Sequence, residues 1–320
     1  MPRDTTLPGL GSKLRAVGAG RLGGLIALIV LIVIASFLSD RFLTVPNLLN
    51  VLRQVSIVGI LALGMTFVIL TAGIDLSIGS VLGLSVVLYA GLLESFGLPA
   101  AITLGMVAGA GAGLVNGIGV AYAGIPAFIM TLGMLSFARG LAFIYTGGTP
   151  VPILDETFYN FGNGYVLGVP IPALVLIATL LASAFVLGMT PFGRSVYGIG
   201  SNEEAARMSG VPVRQYKALV YVISGTLAAL AGVVYASQLG IGTPIAGQGY
   251  ELDAIAAVVV GGTSLFGGRG SVWGTFIGTL IIGVLANTLN LNGVDPFVQQ
   301  LVKGALIVVA VFGMSRASRS

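Results

Sequence analysis

The chain reads as an all-α fold, a polytopic membrane bundle of about ten transmembrane helices with both termini cytoplasmic. Three observations predict it. First, 56% of the 320 residues are hydrophobic and only 8% are charged, against about 25% charged in soluble domains. So few charges cannot cover a water-exposed surface, whereas hydrocarbon accepts an apolar one. Second, 49 residues are Gly, set among Val, Leu and Ile; small residues let membrane helices approach closely, where dispersion holds them together. Third, apolar windows of about 20 residues, the length of a membrane span, recur along the whole chain.

In order, residues 1–22 form a polar, basic tail carrying Arg3, Lys13, Arg15 and Arg21. The first apolar run, 23–39, is followed by Asp40 and Arg41 and not by a small-residue cleavage site, which favours a span over a cleaved signal peptide. The remaining candidate spans are 54–72, 77–93, 99–122, 127–145, 168–189, 218–238, 254–266, 271–291 and 297–314. Together they make one membrane domain over 23–314, with a short tail at 315–320. The window 254–266 is short for a span and reads as tilted or interrupted. Two connections exceed a tight turn: 146–167, with Asp155 and Glu156 among aromatics and glycines, and 190–217.

Charge sets the orientation. With the N-terminus inside, cytoplasmic segments carry Arg3, Lys13, Arg15, Arg21, Arg194, Arg207, Arg214, Lys217, Arg269, Arg316 and Arg319, and external segments only Arg41 and Arg53. Basic residues concentrate in short cytoplasmic loops. A basic C-terminus inside also requires an even number of spans.

Composition excludes several chemistries. The chain has no Cys and no His, which removes thiolate nucleophiles, imidazole bases and the commonest metal ligands. Its only lysines are Lys13, Lys217 and Lys303, so there is no phosphate-binding G-x-x-x-x-G-K-[ST] loop; G-x-S-x-G and H-E-x-x-H are also missing. The expectation is no enzyme, with no catalytic residue, no metal and no cofactor of its own; if the chain pumps, another chain supplies the energy. A net charge of +4, held in loops and tails, is no sign of a nucleic-acid partner.

Ionisable residues at membrane depth are costly and mark sites. Asp75 follows the second span beside Thr71 and Ser77; it either caps the next helix or borders a substrate path. Arg139 and Lys303 lie inside spans, where they snorkel or form structural pairs. Glu251 and Asp253, with Tyr250, read as an interfacial cluster on the periplasmic face. Two segments echo one another as G-x-x-L-x-x-G, one from Gly73 to Gly79 and one from Gly262 through Ser264 to Gly268; both follow apolar helices on the cytoplasmic side and read as structural or gating elements. In 193–217, Asn202 reads as an N-cap, Glu203 and Glu204 as a first turn, Arg207 as a C-terminal cation, and Gly210 and Pro212 as a stop. That is a short helix across the cytoplasmic face, either an ordinary surface element or a docking element.

Three runs resemble one family, the permeases of ribose-type ATP-binding-cassette (ABC) importers, with xylose, arabinose and galactose permeases related. They are Gly64-Met-Thr-Phe-Val-Ile-Leu-Thr71-Ala-Gly-Ile-Asp75-Leu-Ser-Ile-Gly79, Gly200-Ser-Asn202-Glu-Glu-Ala-Ala-Arg-Met-Ser-Gly210, and Gly249-Tyr-Glu251-Leu-Asp253 continuing to Gly268. The resemblance covers roughly residues 25–314. It implies a homodimer in the bacterial inner membrane, cytoplasmic ATPase subunits that use ATP and Mg, and a periplasmic or lipid-anchored sugar-binding protein. It also implies that Asn202, Glu203, Glu204, Ala205, Ala206, Arg207, Met208, Ser209 and Gly210 form the coupling helix that seats in the ATPase. Hydroxyl and amide side chains suited to a sugar path are Thr66, Thr71, Asn116, Thr131, Ser136, Asn287 and Asn290; the same residue types also join helices. Other solutes of the superfamily (nucleosides, branched-chain amino acids) and a stand-alone secondary transporter are the alternatives. The latter would want intramembrane coupling carboxylates and two matched halves, and only Asp75 comes near.

Overall fold

The structure, a computed structural model, describes residues 10–317, and the side chains of residues 23–306, 308 and 312. Arg3 and Arg319, and the side chains of Lys13, Arg15, Arg21 and Arg316, lie outside those described.

The fold is all-α. Its long helices are α1 (Leu10–Leu38), α2 (Val45–Leu70), α3 (Ile78–Ala121) and α4 (Ala127–Thr146). A cap region follows, made of β1 (Val151–Pro152), α5 (Glu156–Asn163), β2 (Tyr165–Val166) and β3 (Val169–Pro170). Then come α6 (Ile171–Met189), the short α7 (Pro191–Ser201) and α8 (Glu203–Met208), and α9 (Val213–Leu239). The chain ends with β4 (Ile241–Gly242), α10 (Tyr250–Val260), α11 (Val272–Leu291) and α12 (Pro296–Ala317). Six of these, α2, α3, α4, α6, α9 and α11, are long and apolar enough to cross a membrane. α3 holds two of the expected spans, 77–93 and 99–122. It breaks between them at Gly97, whose φ of +76° is left-handed, with Pro99 just beyond.

α2 is the central helix. Nearly every side chain from Val55 to Leu70 is buried, because α9, α10, α11 and α6 surround it. α3 lies along α9 over a glycine stripe. A Cβ would lie 2.3 Å from the Tyr221 carbonyl oxygen if placed at Gly113, and 2.6 Å from that of Ala218 if placed at Gly117. Gly at a four-residue spacing lets the two backbones touch, which is one reason the chain is glycine-rich.

At the end of the bundle where α9 finishes, β1 pairs antiparallel with β4, Val151 opposite Gly242. There α5, capped by Asp155 Oδ1 accepting from the Phe158 amide at 2.7 Å, packs on α9. Arg53 ties the cap down by donating to the Asn163 carbonyl at 2.9 Å. α7 and α8 occupy the opposite end.

Between β4 and α10 the chain dips back into the bundle. Gly242 sits against Ala90, Ala246 against Gly83, and Gly247 against Gly79, so residues 242–247 descend antiparallel to α3. α10 therefore starts inside the bundle and covers only Tyr250–Val260, about 16 Å, against a hydrocarbon core of about 30 Å. This corrects the expected span 254–266: one crossing is shared between a non-helical descent and a half-length helix.

Candidate functional site

Three features carry the functional reading: a docking surface, a glycine junction beneath it, and a polar cavity at the far end of α2.

The docking surface is α8 and its flanks. Asn202 Oδ1 accepts from the Ala205 amide at 2.9 Å, so Asn202 is the N-cap, with Glu203 and Glu204 in the first turn. Gly210, at φ +81°, adopts the left-handed conformation past the helix end. Only Ala206 turns inward, onto Ile199 and Val213. Asn202, Glu204, Ala205, Arg207, Met208, Ser209 and Gly210 are exposed, Met208 to 83%. Glu203 holds the element to α9 through Lys217 Nζ, 2.7 Å away, and meets Arg207 at 3.2 Å. The Lys217 hydrogen bond, more than its charge or that of Arg207, keeps the Glu203 carboxyl below the usual glutamate range.

Beneath this surface three backbones meet. The Gly268 amide donates to the Leu70 carbonyl at 3.0 Å, and Gly200 of α7 presses on both: a Cβ there would be 1.8 Å from Leu70 O and 2.5 Å from Gly268 N. The two echoing segments are thus neighbours, joined through α7. Their turns also match. After α2, the amide of Gly73 donates to Val68 O with Ala72 left-handed (φ +60°); after α10, the amide of Thr263 donates to Val258 O with Gly262 left-handed (φ +85°). Both are Schellman ends, and they pair Ala72 with Gly262, one residue out of step with the sequence motif. Ser264 closes the second loop, its amide donating to Arg269 O at 2.9 Å.

The loop after Ala72 is clasped by Asp75, buried between helices. Its Oδ1 accepts from the amide (3.0 Å) and hydroxyl (2.6 Å) of Ser77, and its Oδ2 from the Ser224 hydroxyl at 2.8 Å. Asn116 donates to Ser77 Oγ at 2.9 Å, and Thr131 to the Ile74 carbonyl at 3.3 Å. Asp75 does not cap α3 with its side chain; it makes an Asx turn and ties α9 to it. A Cβ on Gly79 would lie 2.3 Å from Glu251 Oε2, so that carboxylate is within the bundle.

Arg139, midway along α4, does not reach an interface. It donates to the carbonyls of Pro244 and, at 2.8 Å, Ala246. Non-helical backbone at membrane depth needs protein partners for its polar groups, and Arg139 supplies them to the descending segment. Lys303 is likewise paired, Nζ 2.8 Å from Asp253 Oδ2. Glu251 and Asp253 therefore sit at the buried start of α10 and not on an outer face, because the chain descends before that helix begins.

The cavity, about 360 Å³, opens between the first half of α2, the ends of α9 and α11, the start of α10, and α12. Gln54, Tyr235, Tyr250, Asp253, Asn290 and Lys303 line it. Tyr235 and Tyr250 meet edge to face, ring centroids 6.2 Å apart. Of the seven side chains proposed for a sugar path, Asn290 lines this cavity. Thr66 bonds Thr275 at 2.8 Å, Thr71 bonds Val68 O at 2.9 Å, and Asn287 exchanges hydrogen bonds with Asn47 at 3.0 and 2.9 Å; Asn116 and Thr131 serve the Asp75 clasp, and Ser136 is exposed on α4. Sequence reasoning missed Gln54, Tyr235 and Lys303 as a group, since they are far apart in the chain. Lys303, the Tyr250–Asp253 cluster and Asn290 were each singled out in the sequence, but nothing in it joined them.

A helical membrane bundle with one exposed, capped cross-helix at one end and a polar cavity at the other has the parts of a solute permease. The chain belongs to the family described as branched-chain amino acid transport system / permease component, which matches residues 47–311. It is 49% identical over 294 residues, 91% of each chain, to the ribose import permease protein of Bacillus subtilis (strain 168). It is 46% identical to the protein of the same name in Escherichia coli (strain K12), over 90% of this chain and 91% of that one. The D-allose transport system permease protein of E. coli K12 is 37% identical, over 88% and 87%. No solved structure is significantly similar.

Proposed function

We propose that this chain is the membrane permease of an ABC importer for ribose. The observation that carries the reading is the 49% identity, over 91% of both chains, to a ribose import permease. In this reading the protein is a homodimer in the bacterial inner membrane. Each copy crosses ten times, counting α1, the two halves of α3, the descent with α10, and α12. The end bearing α7 and α8 faces the cytoplasm, and a binding protein delivers sugar to the end bearing β1, β4 and α5.

ATP and Mg act in the partner ATPase, not in this chain. Closure of the ATPase pair displaces residues 202–210. α7 is continuous with that segment through Asn202, which ends α7 and caps α8, so the displacement reaches Gly200, and through it the end of α2 and the loop that follows α10. α2 and α10 are the helices that border the cavity at their other ends, so one push can alternate its access. Each ligand shifts the two openings only by its differential affinity for them.

The test is uptake of labelled ribose into proteoliposomes holding this chain and its ATPase, with and without the binding protein. Uptake that needs all three and ATP is expected. Uptake of xylose, allose or leucine instead of ribose would keep the importer and change the solute. Uptake by this chain alone on an ion gradient would overturn the importer.

A further inference from the structure

We propose that the cavity at the start of α10 is a transient binding site for the neutral sugar in transit. The inference rests on the importer reading and adds a place and a chemistry to it. The cavity's size, about 360 Å³, falls in the range of small-molecule sites, about 300–1,000 Å³, and suits a monosaccharide.

Its lining suits a sugar in three ways. A pyranose or furanose ring presents an apolar C–H face, and Tyr235 and Tyr250 offer aromatic surface for it. Sugar hydroxyls both donate and accept. Among the described residues, the Gln54 amide, the Asn290 Nδ2, and the hydroxyls of Tyr235 and Tyr250 have no protein hydrogen-bond partner, so donors and acceptors stand open. The third element is the Asp253–Lys303 pair, closed at 2.8 Å. Its charges cancel, so the site favours neither an anion nor a cation. Hydroxyls can bridge the pair without parting it, whereas an amino acid zwitterion would have to break it to place its own charges.

The architecture explains why a site belongs here. The half-length α10 starts inside the bundle, where its first-turn amides and polar residues are held among helices rather than at a surface. Irregular backbone at that depth is stable only where protein or a water-filled cavity surrounds it; Arg139 satisfies carbonyls of the descent, and the cavity begins where the descent ends, at Tyr250 and Asp253. The site also borders α2 and α10; the far end of α2 and the loop that follows α10 meet at Gly200. A sugar held here therefore contacts the two helices that the docking end can move.

The chain has no cysteine, so single cysteines report cleanly. In proteoliposomes of the full-length permease, Gln54→Cys should react with a small water-soluble thiol reagent, and D-ribose at tens of millimolar should slow that reaction several-fold. Leu154→Cys, 88% exposed in the cap, should react at a rate that ribose does not change. Protection by leucine and not by ribose would overturn the sugar assignment. No protection by either, in a protein whose assembled complex imports ribose, would overturn the site and leave the importer standing. Failure of the assembled complex to import ribose would instead overturn the reading beneath it. A second experiment does not depend on labelling. Tyr235→Phe and Tyr250→Phe each remove one open hydroxyl and keep the ring, and each should lower the rate of ribose uptake about five-fold, the value of one hydrogen bond. Uptake at the original rate with both hydroxyls removed would also sink the site.

Discussion

The glycine junction makes Gly200→Ala the sharpest perturbation of the coupling route. An added Cβ would fall 1.8 Å from Leu70 O, 2.5 Å from Gly268 N and 2.9 Å from Leu70 C. All three are backbone atoms, so no side-chain rotation relieves them. α7 must lift away by about 1 Å, a displacement that over-packed sites accommodate at about 1–3 kcal/mol. Prising Leu70 from Gly268 also weakens their hydrogen bond, worth about 1 kcal/mol. The seated junction then loses about 2–4 kcal/mol, roughly 30- to 1,000-fold in its population. Gly198→Ala is the control within the same helix, because a Cβ there meets nothing within 4 Å; it should stabilise α7 by up to about 1 kcal/mol. The assay compares ATP-driven uptake and thermal midpoint in detergent for the two variants. Gly200→Ala should lower the midpoint and cut uptake at least tenfold, while Gly198→Ala should leave both near or above the parent. Equal behaviour of the two would refute the backbone junction.

Other expectations follow from single residues. Asp75→Ala strands the Ser77 amide and the Ser77 and Ser224 hydroxyls and should destabilise by about 2–4 kcal/mol; Asp75→Asn keeps an acceptor, leaves Ser224 free to reverse, and should cost about 1 kcal/mol. A folded Asp75→Asn protein with no uptake would show that the charge itself acts in transport. Reversing Glu203 and Glu204 together to Lys should abolish co-purification with the ATPase while membrane insertion persists; normal co-purification and transport would remove residues 202–210 from the interface. Because the Glu203 carboxyl titrates below its ordinary value of 4.5, its hold on Lys217 is complete above that pH and is lost only as pH falls through the lowered value. Exchange protection of the α8 amides should therefore survive at pH 5 and fade in stronger acid, and a loss already complete at pH 6 would contradict the assignment. Ala72 is a non-glycine residue in the left-handed region, which costs an L-residue about 1 kcal/mol, so Ala72→Gly should raise the thermal midpoint; a lowered one would mean that the Cβ contact with the Gly267 loop outweighs the strain.

The sequence by itself determined the solvent and the punctuation. Apolar windows located the long helices because a lipid-facing helix must be apolar along its length, and the Asn202 and Gly210 caps bounded α8 because capping is a local hydrogen-bond problem. The resemblance carried by three motifs named the class before any contact was known. Only the tertiary structure decided how the intramembrane charges are used. Arg139 reads alone as a snorkelling cation or half of a structural pair, and its role appears only when Pro244 and Ala246, more than a hundred residues away, bring carbonyls that lack helical partners. Glu251 and Asp253 read as interfacial because a window average cannot show a chain that enters the bundle without helix. The echo of Gly73 and Gly262 was visible as letters, but its true register, Ala72 with Gly262, depends on which residue turns left-handed, and its meaning on Gly200 lying between the loops. Gln54, Tyr235, Tyr250 and Lys303 share no periodicity or spacing; they form one cavity because five elements converge there, and convergence is a property of packing, not of local pattern.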